Sequence, residues 1–354
     1  MLVSDFDFPL PPDLIAERPA VPRDSARLLQ YRAGEGIDPK DWVVRDLPLL
    51  LRPDDILVFN DTRVIPARLF GRRERGPSDV KVEALLLRPV GGRQWQAMVR
   101  PARRLRPGDV VAFDGDIRAE MIERSGDQLL FRFDRDDANL LLALEKVGAM
   151  PLPPYITAQR AADERDRADY QTMFAEKLGA IAAPTAGLHF TPELTERLKE
   201  IGIRFARVTL HVGAGTFLPV KVERIEDHRM HAEWGEVSAA AVEAIRAARA
   251  AGGRVIAIGT TSLRLLESAA RQSGDLQPFT GETDIFITPG FDFRVADGLM
   301  TNFHLPKSTL VMLVAAFVGV EAQRAIYRHA VEQGFRFYSY GDTSLLFRQP
   351  SRQT

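Results

Sequence analysis

A change in the spacing of apolar segments constrains the fold of this chain more than any other feature. Between residues 80 and 135, short apolar runs are separated by turn-forming pairs such as Gly91-Gly92 and Asp114-Gly115, which is typical of antiparallel strands. After about residue 150 the pattern becomes a strand followed by a helix, repeated. The first segment predicts a small antiparallel β-barrel, and the second predicts an α/β domain.

Start and stop signals place several elements of the α/β part. Thr191-Pro192-Glu193 is typical of a helix start, and Gly202 follows the predicted helix as its end. The alanine-rich segment 238–253 predicts a second helix that ends at glycine. "RVIAIGTTSLRLLES", which begins at residue 254, predicts a buried strand that runs into another helix.

An early apolar strand indicates how the two parts are connected. "DDILVFN" (54–60) suits the α/β sheet better than the barrel. We therefore predict an α/β core domain formed by 1–60 and 150–354, with a small antiparallel β-barrel domain inserted at 61–149.

Composition bounds the function. Apolar residues make up 45%, charged residues 27%, the net charge is −1 and cysteine is absent, which excludes a thiol nucleophile and cysteine metal sites. The start is acidic and interrupted by prolines, unlike a signal peptide, and the longest apolar stretch, 309–320, is too short to span a bilayer. We expect a cytoplasmic protein without a membrane partner.

Several loops of the core are rich in glycine and polar residues. The backbone amides of "APTAGLHFT" (183–191) suit an anion, although an ordinary connection is an open alternative. Thr209 and His211 point to the same side of a predicted strand. "IGTTS" (258–262) lies where open α/β sheets bind ligands, with helix capping as the alternative.

Histidines occur in two further motifs. "TNFHLPKST" (301–309) places His304 in a loop, where a lone histidine is more often structural than catalytic. "EDHRMHAEW" (226–234) places His228 and His231 three residues apart, so on a helix they would share a face suited to a metal.

Taken together, long segments in order resemble one family. They include "FNDTRVIPARLFGR", "AAPTAGLHFT", "VTLHVGAGTF", "DHRMHAEW", "GTTSLRLLES", "TNFHLPKSTL" and "SYGD". The chain resembles the S-adenosylmethionine:tRNA ribosyltransferase-isomerases of queuosine synthesis, which have an α/β core with an inserted β-barrel.

The resemblance implies a reaction. The family moves the ribosyl part of S-adenosylmethionine to 7-aminomethyl-7-deazaguanine at the wobble position of tRNA and isomerises it, which gives epoxyqueuosine and releases adenine and methionine. S-adenosylmethionine is then a consumed substrate, no cofactor or metal is expected, and the partner is tRNA carrying the aminomethyl base. We expect a monomer.

The resemblance also implies site residues, whose individual roles stay open. The expected catalytic residues are His189, His211, Asp284, His304 and Asp342. The residues expected to bind S-adenosylmethionine are Thr185, Gly187, Thr209, Gly213, Gly215, Gly259, Thr260 and Thr261. Because the family needs no metal, it favours hydrogen-bonding or RNA-site roles for His228 and His231.

A tRNA partner requires local positive charge. Residues 61 to 120 contain thirteen Arg or Lys and eight Asp or Glu, most of the excess lying in "RLFGRRER" and "RPARRLR". Phosphate contact is the prediction, and a solvated surface is the alternative. The residues expected to bind RNA are Asn60, Arg63, Arg68, Arg72, Arg73, Arg103, Arg104, His228 and His231.

Two alternative functions stay open from the sequence. A metal-dependent hydrolase fits the paired histidines, and a non-catalytic RNA-binding module fits the basic insertion.

Overall fold

The structure of the protein is a computed structural model that describes residues 1–36, 38–74, 80–126, 128–213, 215 and 220–348. The strands in these ranges are β1 (Arg27–Arg32), β2 (Lys40–Val43), β3 (Ile56–Asn60), β4 (Thr62–Val64), β5 (Arg68–Arg73), β6 (Lys81–Gly91), β7 (Gln94–Arg100), β8 (Val110–Phe113), β9 (Ile117–Ser125), β10 (Gln128–Phe133), β11 (Lys177–Ala180), β12 (Arg204–Leu210), β13 (Glu233–Val237), β14 (Val255–Ile258), β15 (Phe279–Thr283), β16 (Gly298–Asn302) and β17 (Thr343–Phe347).

The α-helices in the same ranges are α1 (Leu47–Leu50), α2 (Asp137–Val147), α3 (Pro154–Gln159), α4 (Arg165–Asp169), α5 (Pro192–Glu200), α6 (Ala239–Ala250), α7 (Thr260–Ala270), α8 (Thr309–Val318) and α9 (Val320–Glu332). Short 3-10 helices cover Val3–Phe6, Pro12–Leu14, Arg23–Ser25, Val44–Asp46, Ala102–Arg104, Thr185–His189 and Ile225–Asp227.

The chain divides into two compact units. The core unit contains Met1–Thr62, Gln171–Lys177 and Pro184–Thr354, and the barrel unit contains Arg63–Tyr170 and Leu178–Ala183. Residues 150–170, which the sequence pattern assigned to the core domain, fall in the barrel unit in this division.

The core unit is built on a nine-stranded sheet with the order β15-β13-β12-β3-β14-β16-β17-β1-β2. The strands β12, β3, β14 and β16 are parallel to one another, whereas β13 and β17 run antiparallel to their neighbours β12 and β16. All five residues of β3 are buried, as expected for a strand with both faces covered. The predicted α/β core is confirmed.

Helix boundaries follow local signals in the sequence. The Thr191 hydroxyl accepts a hydrogen bond from the backbone N–H of Leu194, and Pro192 begins α5. Ser238 caps α6 in the same way, by accepting from the N–H of Ala241. Both helices lie where the sequence pattern predicts them.

An aromatic cluster in the core unit lies next to two of the predicted site residues. The ring of Phe59 on β3 packs against Phe174, Phe190 and Phe205, with ring centroids 3.9, 4.8 and 5.6 Å away. Because Phe59 precedes Asn60 and Phe190 follows His189 in the chain, this packing fixes the positions of both polar residues.

The barrel unit contains a closed antiparallel barrel with the order β10-β7-β6-β5-β8-β9. Its strands alternate between buried and exposed residues, as in β7, because every second side chain fills the interior. The predicted inserted barrel is confirmed, and it includes β5, which lies before the segment 80–135 that signalled it.

Candidate active site

The parallel strands bring several predicted residues to one edge of the core sheet. Because β3, β12, β14 and β16 run in the same direction, their carboxyl ends meet there, where open α/β sheets bind ligands. We call this the carboxyl edge, and it is defined by the strand ends Asn60, Leu210, Ile258 and Asn302.

Asn60 ties three elements of the carboxyl edge together. Its Nδ2 donates to the carbonyl of Leu210 at 3.0 Å and to the Thr261 hydroxyl at 3.2 Å. Its Oδ1 accepts from the backbone N–H groups of Thr62 at 3.1 Å and Leu210 at 3.0 Å. These bonds use both donors and both lone pairs of the amide, so we expect Asn60 to shape the site rather than to bind RNA directly.

His211 is held at the end of β12 by two contacts. Its Nδ1 lies 2.8 Å from the Thr62 hydroxyl, and its ring stacks on Trp234 with centroids 5.2 Å apart and planes 19° apart. Burial, followed by the positive charge of Lys177, lowers the pKa of His211. The imidazole is therefore neutral near pH 7. No described residue bonds Nε2, so this atom is available as a base in the tautomer whose Nδ1–H donates to the Thr62 hydroxyl.

Asp61 is a buried carboxyl at the same edge that sequence reasoning did not select. It is 5% exposed, and its Oδ1 accepts a hydrogen bond from the Thr209 hydroxyl at 2.7 Å. Burial raises the pKa of Asp61, and the bond from Thr209 opposes that shift. Thr209, expected to bind S-adenosylmethionine, thus contacts a carboxyl that can itself accept a proton. The sequence does contain a signal for it, because Asp61 lies in "FNDTR" between the predicted site residues Asn60 and Arg63.

His304 lies in a loop after β16 and is bonded within the protein. Its Nε2 lies 3.0 Å from the Thr301 hydroxyl, and its backbone N–H donates to the Tyr327 hydroxyl at 3.3 Å. Burial lowers the pKa of His304 to about 3, so the ring is neutral at neutral pH.

His189 ends the 3-10 helix Thr185–His189 and borders a small pocket. Burial and the nearby charge of Arg336 lower its pKa to about 3, while the Asn302 side chain opposes the shift. His189 Nε2 and Asn302 Oδ1 are both buried without a partner among the described residues. The pocket is lined by Pro19, Ala20, Arg23, Leu188, His189, Ser339 and Tyr340. Of these two residues only His189 lines the pocket.

The two predicted catalytic carboxylates have different environments. Asp342 is 2% exposed and accepts from the backbone N–H groups of Arg27 at 3.0 Å and Arg336 at 2.8 Å. These bonds hold the segment before β17 in place. Asp284 follows the last residue of β15 and is exposed. Neither carboxylate has a bond to the three predicted catalytic histidines.

The predicted glycine and threonine loops also lie around the carboxyl edge. Gly259 has a φ of 92° as it leads into α7, and a Cβ there would lie 3.6 Å from the Cβ of Ala186, so the turn that contains Thr185 and Gly187 packs against it. Thr260, the first residue of α7, is 8% exposed. A Cβ on Gly215 would lie 2.7 Å from Cδ2 of His231, which leaves no room for a larger residue.

A buried ion pair, also missed from the sequence, holds the loop after β12. Glu233 accepts from the backbone N–H of Gly213 at 2.9 Å and pairs with Arg264 at 2.5 Å. The Nε of Arg264 donates to the carbonyl of Ile285 at 3.3 Å. These groups join β13, α7 and the predicted substrate loop, so removing either charge would leave the other buried and unpaired.

The histidines of "EDHRMHAEW" do not lie on a helix. The 3-10 helix Ile225–Asp227 ends before His228, whose backbone is extended at φ −75° and ψ 136°. The ring of His228 contacts Phe286 edge-on at 5.3 Å, whereas His231 is exposed. The condition for a shared helical face is therefore not met, because the helical turn stops before His228. In the described ranges no three His, Cys, Asp or Glu side chains are grouped to hold a metal.

The predicted RNA-binding arginines of the barrel unit fall into two groups. Arg63 and Arg68 are paired with Glu145 at 3.3 Å and Glu83 at 2.5 Å. The others lie together, because Arg73 on β5 donates to the carbonyl of Arg104 at 2.7 Å. We call Arg72, Arg73, Arg103 and Arg104 the arginine cluster.

Exposure differs within the arginine cluster. Arg72, Arg103 and Arg104 are exposed, whereas the side chain of Arg73 is only 14% exposed and lies 3.9 Å from Asp109. The two basic segments therefore meet, with three side chains on the surface and one holding the segments together.

Membrane-spanning segments were also considered. Within the described ranges no single helix has the length and apolar character needed to cross a membrane. In the same ranges only α8 and α9 taken together have that length and composition, and they are bent by 117°.

The fold and the site define an α/β protein with neutral, buried acid–base groups at the carboxyl edge and a barrel that presents exposed arginines. The sequence model of the family described as "Queuosine biosynthesis protein" matches residues 3–346. The chain belongs to this family.

Known relatives extend the comparison. The chain is 60% identical to an S-adenosylmethionine:tRNA ribosyltransferase-isomerase of Phenylobacterium zucineum, over 98% of this chain and 100% of the relative. It is 59% identical to the protein of the same name from Ruegeria pomeroyi, over 98% and 99% of the two chains. The predicted resemblance is confirmed. The chain is an enzyme of the transferase and isomerase type, which excludes a non-catalytic RNA-binding module.

A solved structure also resembles the chain. The crystal structure of an S-adenosylmethionine tRNA ribosyltransferase from Thermotoga maritima is 34% identical, has a TM-score of 0.55, and covers 97% of this chain and 100% of its own.

Proposed function

We propose that the enzyme transfers the ribosyl moiety of S-adenosylmethionine to 7-aminomethyl-7-deazaguanine at the wobble position of tRNA. The product is epoxyqueuosine, and adenine and methionine are released. The observation that carries this proposal is the convergence of the family motifs on the carboxyl edge, in a chain 60% identical to a ribosyltransferase-isomerase over its full length.

The reaction first requires a base. Removal of a proton from the carbon next to the sulfonium initiates the rearrangement, and His211 suits this step because its ring is neutral and its Nδ1 is fixed by Thr62. Asp61, which precedes Thr62 in the chain and is bonded to Thr209, is a second proton acceptor. The proton passes to the imidazole or the carboxyl, so no metal or cofactor is needed in this proposal.

The departing adenine then requires a hydrogen-bond donor. His189 and His304 are buried near the end of β16, and a neutral imidazole can donate one N–H to a ring nitrogen as negative charge develops there. The small, mostly apolar pocket beside His189 borders this donor.

Transfer also requires tRNA binding. The three exposed side chains of the arginine cluster supply positive charge for phosphates in a chain whose net charge is −1. We propose a cytoplasmic monomer, since tRNA is the acceptor and the reaction can be completed at one carboxyl edge.

An assay of adenine release tests this function. The purified enzyme should release adenine and methionine in equal amounts only when S-adenosylmethionine and tRNA with the aminomethyl base are both present. The control is the same tRNA with guanine at the wobble position, which lacks the amine. Methyl transfer to RNA without adenine release would contradict the proposal.

A further inference from the structure

Trp234 is exposed beside the carboxyl edge, and its only role described above is the stacking contact that holds His211. The chain has three tryptophans, all of them in the described ranges; Trp95 is 3% exposed and Trp42 is half-buried, whereas Trp234 is 38% exposed. Tryptophan is enriched at binding surfaces, and this one lies next to a predicted catalytic residue, which makes it a candidate binding group.

The indole of Trp234 is held in one orientation. The Trp234 carbonyl accepts from the backbone N–H of His211 at 2.9 Å, and the His211 ring stacks on the indole at 5.2 Å. His211 is itself fixed by Thr62 at 2.8 Å. Because the ring is already ordered, stacking a ligand on it costs little further conformational entropy.

Carboxyl groups surround the indole on the same face of the sheet. In the strand pairing Thr209 lies opposite Glu236 and Trp234 lies opposite Glu282, and directly opposed residues share a face. Gly235 faces the other way, where a Cβ would meet Leu265 of α7. Glu236 is two residues, or about 7 Å, along β13 from Trp234.

These carboxyl groups differ in how they are paired. Glu236 is bonded to Lys177 at 2.6 Å. Asp61, which Thr209 binds through Oδ1, has no described side-chain partner at Oδ2. One oxygen of Asp61, which is bonded to Thr209 on the strand beside β13, can therefore accept a further donor.

The side chains on this surface indicate which class of ligand would bind. An indole face stacks on any nucleobase, while Asp61 Oδ2 can accept a hydrogen bond from an amine. A planar base that bears a cationic amine satisfies both requirements. In the proposed function, on which this inference rests, that description fits the acceptor base of the tRNA.

We propose that Trp234, backed by His211, is the stacking platform for the 7-aminomethyl-7-deazaguanine base, and that Asp61 Oδ2 accepts a hydrogen bond from its amine. Trp234 is then a substrate-binding residue, and the end of "EDHRMHAEW" contributes to acceptor recognition.

The first test replaces the indole. Trp234→Ala should weaken binding of tRNA carrying the aminomethyl base by about 5- to 150-fold, the value of one base–aromatic stack. Trp234→Phe should retain most of the affinity. The salt dependence of binding should not change, because no phosphate contact is lost. The control is Leu49→Ala, which removes another exposed apolar side chain (72% exposed) and should bind tRNA as wild type does.

The second test concerns the amine. Wild type should bind tRNA with the aminomethyl base more tightly than the same tRNA with guanine. Asp61→Asn should reduce this ratio of affinities toward one, whereas Asp61→Glu should restore part of it. Thermal unfolding of each variant separates loss of recognition from loss of folding.

The outcomes separate this inference from the proposed function. Equal tRNA affinities for wild type and Trp234→Ala would overturn the platform, even if wild type releases adenine as proposed. Weaker S-adenosylmethionine binding with unchanged tRNA binding would also overturn it, because the indole would then hold adenine. Absence of adenine release by wild type would instead contradict the proposed function.

Discussion

The carboxyl edge of the core unit and the arginine cluster of the barrel unit use ionisable side chains in opposite ways. At the carboxyl edge His189, His304 and Asp61 are 5%, 6% and 5% exposed, and burial favours their neutral forms. In the barrel unit, Arg72 and Arg103 are exposed cations. Buried groups with shifted pKa values suit proton transfer, and exposed permanent cations suit phosphate binding.

This difference shows how one chain with almost no net charge can serve an anionic macromolecule and a cationic small substrate. A uniform positive charge would attract tRNA but would repel the sulfonium of S-adenosylmethionine. At the carboxyl edge the nearby cations Lys177 and Arg336 are paired with Glu236 and Asp342, which reduces that repulsion. We therefore expect substitutions at the edge to change the rate of the chemical step, and substitutions in the cluster to change tRNA affinity.

The largest effect is expected at the edge. His211→Ala should lower turnover by roughly 10²- to 10⁴-fold, the usual contribution of a general acid–base group, with a much smaller effect on thermal unfolding. The control is His329→Ala, since His329 is bonded to Asp41 at 2.8 Å and has no contact with the carboxyl edge. Near-wild-type turnover for alanine variants of His189, His211 and His304 alike would leave Asp61 and the other carboxyl groups as the only candidate bases.

The next effect concerns the arginine cluster. Neutralising Arg72, Arg103 and Arg104 to Gln should weaken tRNA binding, and each lost phosphate contact should flatten the logarithmic salt dependence by roughly 0.7–0.9. Arg73→Gln should leave that slope unchanged and lower stability instead, because Arg73 is bonded to the carbonyl of Arg104.

Two arginines of the same barrel provide a matched control for the cluster. Arg118 and Arg132 are 63% and 49% exposed, but they are paired with Glu74 and Glu120. Their Gln variants should bind tRNA as wild type does. If these variants and the cluster variants give the same affinity and slope, the cluster is a solvated surface and the RNA site lies elsewhere.

A smaller effect is expected on stability as pH changes. His189 and His304 have pKa values lowered from 6.5 to about 3. Below pH 6.5 the unfolded chain binds protons that the folded chain does not, so each histidine should lower the unfolding free energy by about 1.4 kcal/mol per pH unit as pH falls toward 3. His304→Gln should show a shallower decrease than wild type in denaturant titrations between pH 6.5 and 4. Identical slopes would mean that His304 is protonated in the folded state.

No effect is expected from metal removal. Chelators should leave turnover unchanged, and the double variant His228→Ala with His231→Ala should bind no less metal than wild type, as elemental analysis can determine. Stoichiometric zinc in wild type that is lost in the double variant would support a metal-dependent enzyme instead.

Local patterns in the sequence predicted much of the fold. The all-apolar "ILVF" of β3, the Thr191 cap of α5 and the strand-to-helix run of β14 and α7 each depend on neighbouring residues, and each occurs as predicted. The spacing of His228 and His231 left open whether they share a helical face, because spacing alone does not determine how far a helical turn continues.

Long-range pairing was not accessible from the sequence. Asp61 is 148 residues from Thr209, and Glu233 is 31 residues from Arg264, so no local pattern connects the partners. The sequence also could not separate Arg73 from Arg72, because the difference is a hydrogen bond to Arg104 that exists only after the barrel closes. Which polar residues are available to a ligand depends on such contacts.

The assignment of the chemical step to the carboxyl edge and of tRNA binding to the arginine cluster is tested most directly by single-turnover adenine release. The measurement is made at saturating tRNA and low salt. The triple variant of Arg72, Arg103 and Arg104 should then reach the wild-type rate constant to within about twofold, because phosphate contacts contribute to affinity. His211→Ala should stay slower by at least about 10²-fold at any tRNA concentration. A triple variant that remains slow at saturation, or a His211→Ala enzyme that recovers the wild-type rate, would contradict the assignment of chemistry to the carboxyl edge and tRNA binding to the arginine cluster.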